Sequence, residues 1–394
     1  MDANNKELTG IEKETIQLAD KIILEAIQNR ASDIHLECMR DNLRVRLRID
    51  GVLREATTHI PKEYRRMVID RMKIMGGMNL KETRLPQDGR ILLRVEGKEI
   101  DLRVAVSPNM FGESAVLRIL NRATASFKLD QACQSPETLG KLQSWLKQPN
   151  GLIIVTGPTG SGKTTLLYAM IQELNSPDIK ITTIEDPVEY DIEGVNQQMV
   201  RCDIGLTFPM ALRSQLRQDP DIMMIGEIRD FETAQIMIQA VLTGHLVLTT
   251  LHTNDAPAAI RRLMDIGIEP FLVNSALTGV VAQRLVRVIC KHCKEEYKPE
   301  SWILDLLGDN RPAKFFRGKG CAQCHQAGYT GRIALHELLE LDDAMRKLIN
   351  RDPGMDELRQ QARAAGLITL RDDGLAKVGQ GLITVEEVLQ YCPS

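Results

Sequence analysis

The sequence predicts an α/β core in which helices cover a parallel sheet, together with a smaller α+β domain that precedes it. In the second half of the chain, short runs are apolar throughout and alternate with helical stretches, a pattern typical of parallel strands buried on both faces. These runs are GLIIVTG, KITTIED, DIMMIGE and HLVLTTLHT. In the first half, NLRVRLRIDG alternates apolar and basic residues, which indicates an antiparallel strand with one solvent face. At 394 residues, the chain also exceeds the size that a single core usually serves.

The N-terminal domain is predicted from one helix followed by hairpins. Residues 11–28 place apolar side chains in a helical stripe. Asp50-Gly51 is a hairpin signal after the alternating strand, and a second strand pair turns around Glu96-Gly97. The chain then has mixed polarity, so we expect a linker there. The predicted divisions are an α+β domain at 1–125, a linker at 126–135 and an α/β domain at 136–394, which includes a cysteine-bearing subdomain at 288–330 and C-terminal helices at 331–394.

Composition and charge narrow the class of protein. With 43% hydrophobic and 26% charged residues, the chain is typical of globular rather than disordered proteins. A net charge of −3 and a pI near 6.2 give no general electrostatic case for a nucleic-acid or anionic-membrane partner. The polar N-terminus carries no secretory signal, and no apolar run is long enough to span a membrane. We therefore expect a cytosolic protein that binds no nucleic acid and reaches any membrane through a partner.

The eight cysteines fall into two groups. Those that occur singly, as expected for small buried residues in a reducing compartment, are Cys38, Cys133, Cys202 and Cys392. Those in two C-x-x-C pairs are Cys290, Cys293, Cys321 and Cys324. Four thiolates suit a tetrahedral Zn²⁺ site without an open position, so we expect a structural metal with no part in catalysis. Redox-active or merely reduced dithiols are the alternative, and His292 or His325 could replace a ligand.

A glycine-rich loop predicts a phosphate site. GPTGSGKTT fits G-x-x-x-x-G-K-[ST], follows an apolar strand and precedes a helical stretch. Its backbone N–H groups can turn inward on phosphate oxygens, with Lys163 on the β- and γ-phosphates and the Thr164 hydroxyl on Mg²⁺. An incidental glycine-rich turn is the alternative. The predicted loop residues are Gly157, Pro158, Thr159, Gly160, Ser161, Gly162, Lys163, Thr164 and Thr165.

Carboxylates and histidines follow three other predicted strands. PDIMMIGEIRD ends its apolar run in Gly226-Glu227, where an Asp-Glu pair is common in nucleotide-hydrolysing enzymes. TTIEDPVEY carries Glu185 and Glu189 at another strand end, where ligands bind in open α/β sheets. His252 follows the strand in GHLVLTTLHTNDA. Taken singly, each has a plainer interpretation as a surface carboxylate, a solvated acidic turn or a structural histidine.

Taken in order, these segments resemble the secretion ATPase superfamily, which powers type II secretion and type IV pilus assembly. The glycine-rich loop, T-x-E-D-P-x-E, LRQDPDIMMIGEIRD and TGHLVLTTLHTNDA match that family's phosphate loop, Asp box, Walker B box and His box. ASDIHLE, RLPQDGR and FGESAVLRIL are similar to signatures of its N-terminal domain. The resemblance covers nearly the whole chain. It implies a RecA-like P-loop NTPase core, a PAS-like N-terminal domain, a zinc-knuckle subdomain, and ATP, Mg²⁺ and Zn²⁺ as ligands.

The resemblance also implies roles for the carboxylates. Glu227 would replace the missing Asp-Glu pair near the metal and the attacking water. Glu185 and Glu189 would supply further negative charge there, and His252 completes the set of predicted catalytic residues around Lys163. Distributed carboxylates can serve because phosphoryl transfer requires mainly positioning and charge stabilisation.

Four arginines are the predicted cationic groups. Arg103 and Arg118, on predicted strands, match N-terminal-domain arginines of the family that act on the nucleotide. Solvated strand faces or surface ion pairs are the plainer interpretation. Arg213 and Arg217, spaced i and i+4 on a predicted helix, would reach a neighbouring subunit's site, which requires an oligomer.

The function implied by the resemblance is that of a mechanochemical ATPase, acting as a hexamer on an inner-membrane platform of a secretion or pilus machine. It would be cytoplasmic, peripheral to the inner membrane, and would drive pseudopilus assembly and type II secretion across the outer membrane. The cysteine pairs favour secretion or pilus extension over retraction. A type IV pilus extension ATPase is the main alternative, followed by a DNA-translocating motor or a non-hydrolysing nucleotide-binding scaffold. Because the ASDIHLE signature occurs so early, we also expect the family's extra adaptor-docking domain to be absent.

Overall fold

The computed structural model describes residues 10–95, 97–121, 128–307 and 312–392. The chain divides into two compact units, Met1–Ala125 and Ser126–Ser394. The elements of the first unit are helices α1 (Gly10–Gln28) and α2 (Arg65–Met75) and strands β1 (Asp33–Cys38), β2 (Leu43–Ile49), β3 (Val52–Glu55), β4 (Gln87–Val95), β5 (Lys98–Asn109) and β6 (Gly112–Asn121).

The first unit is an antiparallel sheet with helices on one face. Its six strands lie in the order β3-β2-β1-β6-β5-β4, and each neighbouring pair is antiparallel. The hairpin predicted at Asp50-Gly51 is confirmed, because both residues have positive φ (48° and 85°) and Ile49 pairs with Val52. In the second predicted turn, Glu96 lies outside the described residues. Alternation of side chains along β2 buries its leucines and valine against α1 and α2 and leaves its arginines on the other face.

A buried ion pair ties α2 to the sheet. Lys73 on α2 is completely buried, and its Nζ lies 2.8 Å from Oε1 of Glu113 at the start of β6. The same ammonium group donates a hydrogen bond to the backbone carbonyl of Glu82, also at 2.8 Å. Lys73 therefore fixes the segment between α2 and β4 as well as β6.

Replacing Lys73 with methionine is expected to lower the free energy of unfolding by about 3–5 kcal/mol, because the Glu113 carboxylate would remain buried without its partner. Urea unfolding followed by circular dichroism measures this change. The double variant Lys73→Met/Glu113→Gln should recover part of the loss, since it removes the stranded charge. Equal stability of the single variant and the wild-type chain would show that the ion pair does not stabilise this unit.

The second unit contains the remaining elements. Its helices are α3 (Leu129–Ala132), α4 (Pro136–Leu146), α5 (Lys163–Leu174), α6 (Phe208–Gln215), α7 (Phe231–Leu242), α8 (Ala256–Ile266), α9 (Pro270–Ala276), α10 (Ser301–Leu307), α11 (Asp343–Ile349), α12 (Met355–Ala364), α13 (Leu370–Gly379) and α14 (Val385–Tyr391). Its strands are β7 (Gly151–Thr156), β8 (Ile181–Glu185), β9 (Asn196–Met199), β10 (Ile222–Ile225), β11 (Leu246–Leu251), β12 (Leu277–Ile289), β13 (Lys294–Tyr297), β14 (Phe315–Gly318) and β15 (Tyr329–Glu340).

The second unit is built on a seven-stranded sheet in the order β15-β12-β7-β11-β10-β8-β9. All neighbouring strands are parallel except β12 and β15, which are antiparallel. The four predicted apolar runs form β7, β8, β10 and β11, and every residue of these strands is buried. Along β7, Leu152 and Ile154 join one hydrophobic cluster, whereas Ile153 and Val155 join another. Helices therefore cover both faces of the sheet, and the predicted α/β fold with a parallel core is confirmed.

Part of the predicted linker is folded into the second unit. Leu129 and Cys133 are buried in the same cluster as the apolar residues of α5. Residues 122–127 lie outside the described part of the chain.

Within the described residues, no helix is both long enough and apolar enough to cross a membrane.

Candidate functional site

The predicted phosphate loop joins β7 to α5 at the carboxyl edge of the parallel sheet. Gly157, Gly160 and Gly162 have positive φ values of 152°, 79° and 86°, which L-residues with a Cβ rarely adopt. A Cβ at Gly157 would lie 2.5 Å from the backbone oxygen of Gln283, and one at Gly162 would lie 2.7 Å from Nε2 of the same residue. Backbone conformation therefore favours glycine at all three positions, and the close approach of β12 adds to this at Gly157 and Gly162.

Lys163, at the first position of α5, lies against this loop. Its Nζ donates hydrogen bonds to the carbonyls of Gly157 and Pro158, at 2.9 and 3.0 Å. Burial lowers the pKa of Lys163 to about 8, although the negative charge of Glu227 opposes this shift. Ser161 Oγ is buried and has no hydrogen-bond partner among the described residues. A helix N-terminus, a lysine and an orphaned hydroxyl form a donor set that fits a polyphosphate, with exposed Thr164 next along α5.

Glu227 lies at the carboxyl edge, two residues beyond the end of β10. Gly226 brings the chain close to β8, with its N–H donating to the Ile184 carbonyl at 2.8 Å. The Thr250 hydroxyl donates to the Gly226 carbonyl at 2.6 Å, which holds this turn to β11. The Glu227 side chain is 18% exposed and thus faces a partly solvated site rather than packed hydrocarbon.

Glu227, Arg229, His252 and Lys163 form one charged group. Arg229 Nη2 lies 2.5 Å from one carboxylate oxygen of Glu227, and His252 Nε2 lies 3.6 Å from the other. Burial lowers the pKa of His252, the positive charge of Lys163 adds to this effect, and Glu227 opposes it. The structure thus brings together three predicted catalytic residues, Lys163, Glu227 and His252. The sequence analysis did not predict Arg229 as a site residue. Its position two residues after Glu227, in the same motif GEIRD, could have indicated it.

Glu185 is held inside the protein at the end of β8. It is 3% exposed, and it accepts hydrogen bonds from the Tyr168 hydroxyl, Thr183 Oγ1 at 2.6 Å and Gln197 Nε2 at 3.1 Å. Burial raises the pKa of Glu185, and these hydrogen bonds only partly offset the rise. The backbone N–H of Glu189 donates to the same tyrosine hydroxyl at 3.3 Å. These contacts join the Glu185–Glu189 segment to α5, and a role for either carboxylate at a metal stays a prediction.

The arginines of α6 and the turn after it interact with their own unit. Arg213 forms an ion pair of 2.7 Å with Glu232 in the first turn of α7. Arg217 donates to the Arg213 backbone carbonyl at 2.9 Å. Their role at a neighbouring subunit stays a prediction.

Arg103 and Arg118 lie in the first unit, directly opposite each other on β5 and β6. Directly opposed residues share a sheet face, so the predicted common face of these two side chains is observed. Arg90 on β4 lies opposite Arg103 on the other side and extends the row. Arg118 Nε also lies 3.1 Å from Asp33 Oδ1. Action of Arg103 and Arg118 on a nucleotide stays a prediction from the family resemblance.

The C-x-x-C pairs come together in one cluster. The Sγ atoms of Cys290, Cys293, Cys321 and Cys324 all lie within 4.8 Å of one another. The Sγ–Sγ distances are 3.6 Å for Cys321–Cys324, 3.8 Å for Cys293–Cys324 and 3.9 Å for Cys290–Cys321, too long for disulfides. A tetrahedron with Zn–S bonds of about 2.3 Å has edges of about 3.8 Å, so the spacing fits zinc. Backbone N–H groups of Cys321 and Gly328 donate to Cys324 Sγ and favour a thiolate there. The donor set therefore fits a structural zinc ion.

Comparison with known proteins places this architecture in a family. Residues 10–390 match the family described as Type II/IV secretion system protein. Type II secretion system protein E of Pseudomonas aeruginosa is 48% identical over 378 residues, which are 95% of this chain and 75% of that protein. Type IV pilus assembly ATPase PilB of Thermus thermophilus is 47% identical over 373 residues, 94% of this chain and 42% of that protein. The crystal structure of the pilus retraction motor PilT with bound ADP matches with a TM-score of 0.64 at 28% identity, covering 98% of each chain.

These matches confirm the family that the ordered motifs predicted. They extend through both units, in agreement with the signatures seen in the N-terminal part of the sequence. The chain belongs to the type II/IV secretion system protein family.

Proposed function

We propose that this protein hydrolyses ATP at the Lys163 loop and uses the energy to assemble pseudopilus subunits for type II secretion. The observation that supports this best is the charged group at the sheet edge, where Glu227 lies 3.6 Å from His252 and interacts electrostatically with Lys163. The site thus offers cationic and N–H donors for phosphates beside a carboxylate for water. A secretion role follows from the relatives, whose names include secretion system protein E and pilus assembly ATPase.

In this proposal each residue has a distinct task. Lys163 would exchange its hydrogen bonds to Gly157 and Pro158 for phosphate oxygens, which its closeness to the loop permits. Thr164 would ligate Mg²⁺, which supplies charge neutralisation between the phosphates. Glu227, held on one side by Arg229, would orient the attacking water or accept its proton.

A type IV pilus extension ATPase is the second candidate. The relatives from the two machines are 48% and 47% identical, so identity hardly separates these functions. We favour secretion and propose a hexamer, located in the cytoplasm at the inner membrane and coupled to a platform protein there. In such a ring, Arg213 and Arg217 would act on a neighbouring subunit's nucleotide, and Arg103 and Arg118 would add positive charge at the γ-phosphate.

ATPase assays on single and mixed variants test this proposal. Lys163→Ala is expected to lower turnover by about 10²-fold or more, because it removes a charge that stabilises the transition state. Lys141→Ala is a matched control, since that lysine is an exposed residue of α4. If sites are shared, mixing inactive Lys163→Ala and Arg217→Ala chains should restore part of the activity. Full activity of Lys163→Ala would refute the site, whereas failure of the mixture to recover would refute only the sharing.

A further inference from the structure

Two buried polar residues lie outside the charged group, and one of them contacts the phosphate loop. Gln283 on β12 and His336 on β15 are 4% and 5% exposed. They lie directly opposite each other in the antiparallel pair, so their side chains share one face of the sheet. Buried polar side chains are costly unless they are hydrogen-bonded, so their partners indicate why they are there.

Gln283 makes one hydrogen bond to the loop and leaves no room for a side chain at two of its glycines. Its Nε2 donates to the Ser161 carbonyl at 2.7 Å. The same nitrogen lies 2.7 Å from the place that a Cβ would occupy at Gly162, and the Gln283 backbone oxygen lies 2.5 Å from that place at Gly157. Gln283 thus lies against both the beginning and the end of the turn that surrounds the expected phosphates.

The hydrogen-bond chemistry determines how the Gln283 amide is oriented. The Ser161 carbonyl can only accept, so the amide nitrogen must face it and Oε1 must face His336. His336 Nε2, 3.2 Å from that oxygen, must therefore carry the proton. Burial lowers the pKa of His336 to about 4, so the imidazole stays neutral at physiological pH.

His336 is itself held in place from α13. Its backbone N–H donates to Asp373 Oδ2 at 2.9 Å, and Lys377 donates to the other oxygen of that carboxylate. On the side-chain end, Cys133 Sγ also contacts the imidazole, at 3.9 Å from His336 Nε2. A continuous chain of contacts therefore leads from α13 through His336 and Gln283 to the carbonyl of Ser161.

We propose that Gln283 and His336 are positioning residues that hold the Gly157–Gly162 loop in its phosphate-binding conformation. Neither side chain needs to touch the nucleotide. His336 fixes the Gln283 amide, and Gln283 fixes the Ser161 peptide, so the loop N–H groups are oriented before ligand binds. The inference rests on the assignment of this loop as the nucleotide site.

Titration with a fluorescent ADP analogue tests the proposal. Gln283→Leu keeps a similar volume but removes the donor, and we expect its Kd for ADP to rise about 10-fold, as for one lost hydrogen bond at an organised site. His336→Phe should weaken binding in the same direction. His336→Gln, which retains an N–H donor, should bind ADP within about 2-fold of wild type. The double variant Gln283→Leu/His336→Phe should be no weaker than the weaker single variant, because both act through one chain.

Val280→Ala is the matched control for lost packing, since Val280 is buried on the same strand but belongs to the opposite hydrophobic cluster. Its Kd should stay within about 2-fold of wild type even where its stability falls. If Gln283→Leu does not fold, the comparison of His336→Phe with His336→Gln tests the proposal: it requires weaker ADP binding by the first variant than by the second. Unchanged ADP binding by both Gln283→Leu and His336→Phe would overturn the inference while leaving the site assigned. Failure of the wild-type chain to bind ADP would overturn the site assignment as well.

Discussion

Replacing Glu227 with glutamine is expected to lower ATPase turnover by about 10²–10³-fold while ADP binding stays within about 3-fold of wild type. The side chain keeps its size, and Thr250 holds this turn through the backbone carbonyl of Gly226, so the turn should persist. What is lost is the negative charge between Arg229 and His252, which would orient or deprotonate the water. Steady-state phosphate release and the ADP titration measure the two quantities separately.

The matched control for this change is Glu193→Gln. Glu193 is an exposed residue in the connection between β8 and β9, and its backbone carbonyl accepts a hydrogen bond from Asn175 Nδ2 at 2.8 Å. Its turnover should match the wild-type chain. An active Glu227→Gln variant would mean that another group, such as Glu185, serves the water. Loss of ADP binding together with turnover would instead indicate a damaged loop.

We propose that Arg229 lets a single carboxylate serve where nucleotide-hydrolysing enzymes commonly carry an Asp-Glu pair. A guanidinium at 2.5 Å on one oxygen and an imidazole on the other fix the direction of the Glu227 carboxylate. In P-loop enzymes with such a pair, the aspartate commonly helps to hold the Mg²⁺ ion. Here the contacts to Glu227 come from positive or neutral side chains on the same edge rather than from a second carboxylate.

The parallel core was predictable because strands buried on both faces have continuous apolar runs rather than alternating ones. β7, β8, β10 and β11 lack the regular alternation of apolar and charged residues and are buried along their whole length, which is typical of strands in a parallel sheet covered on both faces. The motif residues after them were predictable for the same reason, since parallel strands bring their carboxyl ends to one edge. Lys163, Glu227 and His252 therefore meet where expected.

Other features depend on contacts between distant parts of the chain, which strand patterns do not reveal. Glu185 is enclosed by Tyr168 and Gln197, and nothing in TTIEDPVEY distinguishes an enclosed carboxylate from one facing a metal. Gln283 reaches the phosphate loop only because β12 lies beside β7 in the sheet. The folded part of the expected linker was not predictable for the same reason. Leu129 is buried against α5, but its neighbours in sequence are mostly polar and gave no sign of this contact.

Replacing Cys293 with serine is expected to remove bound zinc and to unfold the subdomain that its cluster organises. We expect the wild-type chain to hold about one zinc ion and the variant almost none, because a hydroxyl is a poor substitute for a thiolate ligand. The cluster joins the end of β12, the β13–β14 sheet and the start of β15, with Cys290 N–H bonded to Gly328 and Lys319 N–H bonded to Cys293. Without the metal, three mostly buried thiols remain at this junction and lose the ion that would hold them together.

The measurement is metal content by emission spectrometry together with thermal unfolding, and Cys202→Ser is the matched control. Cys202 is an exposed cysteine far along the chain from the cluster, so its replacement should change neither quantity. Loss of a structural zinc site should lower the melting temperature by about 5 °C or more, since each kcal/mol shifts it by about 2–4 °C in a domain of this size. A wild-type chain that purifies without zinc and forms disulfides reversibly would instead favour the redox interpretation, because closed four-thiolate zinc sites leave no free dithiol.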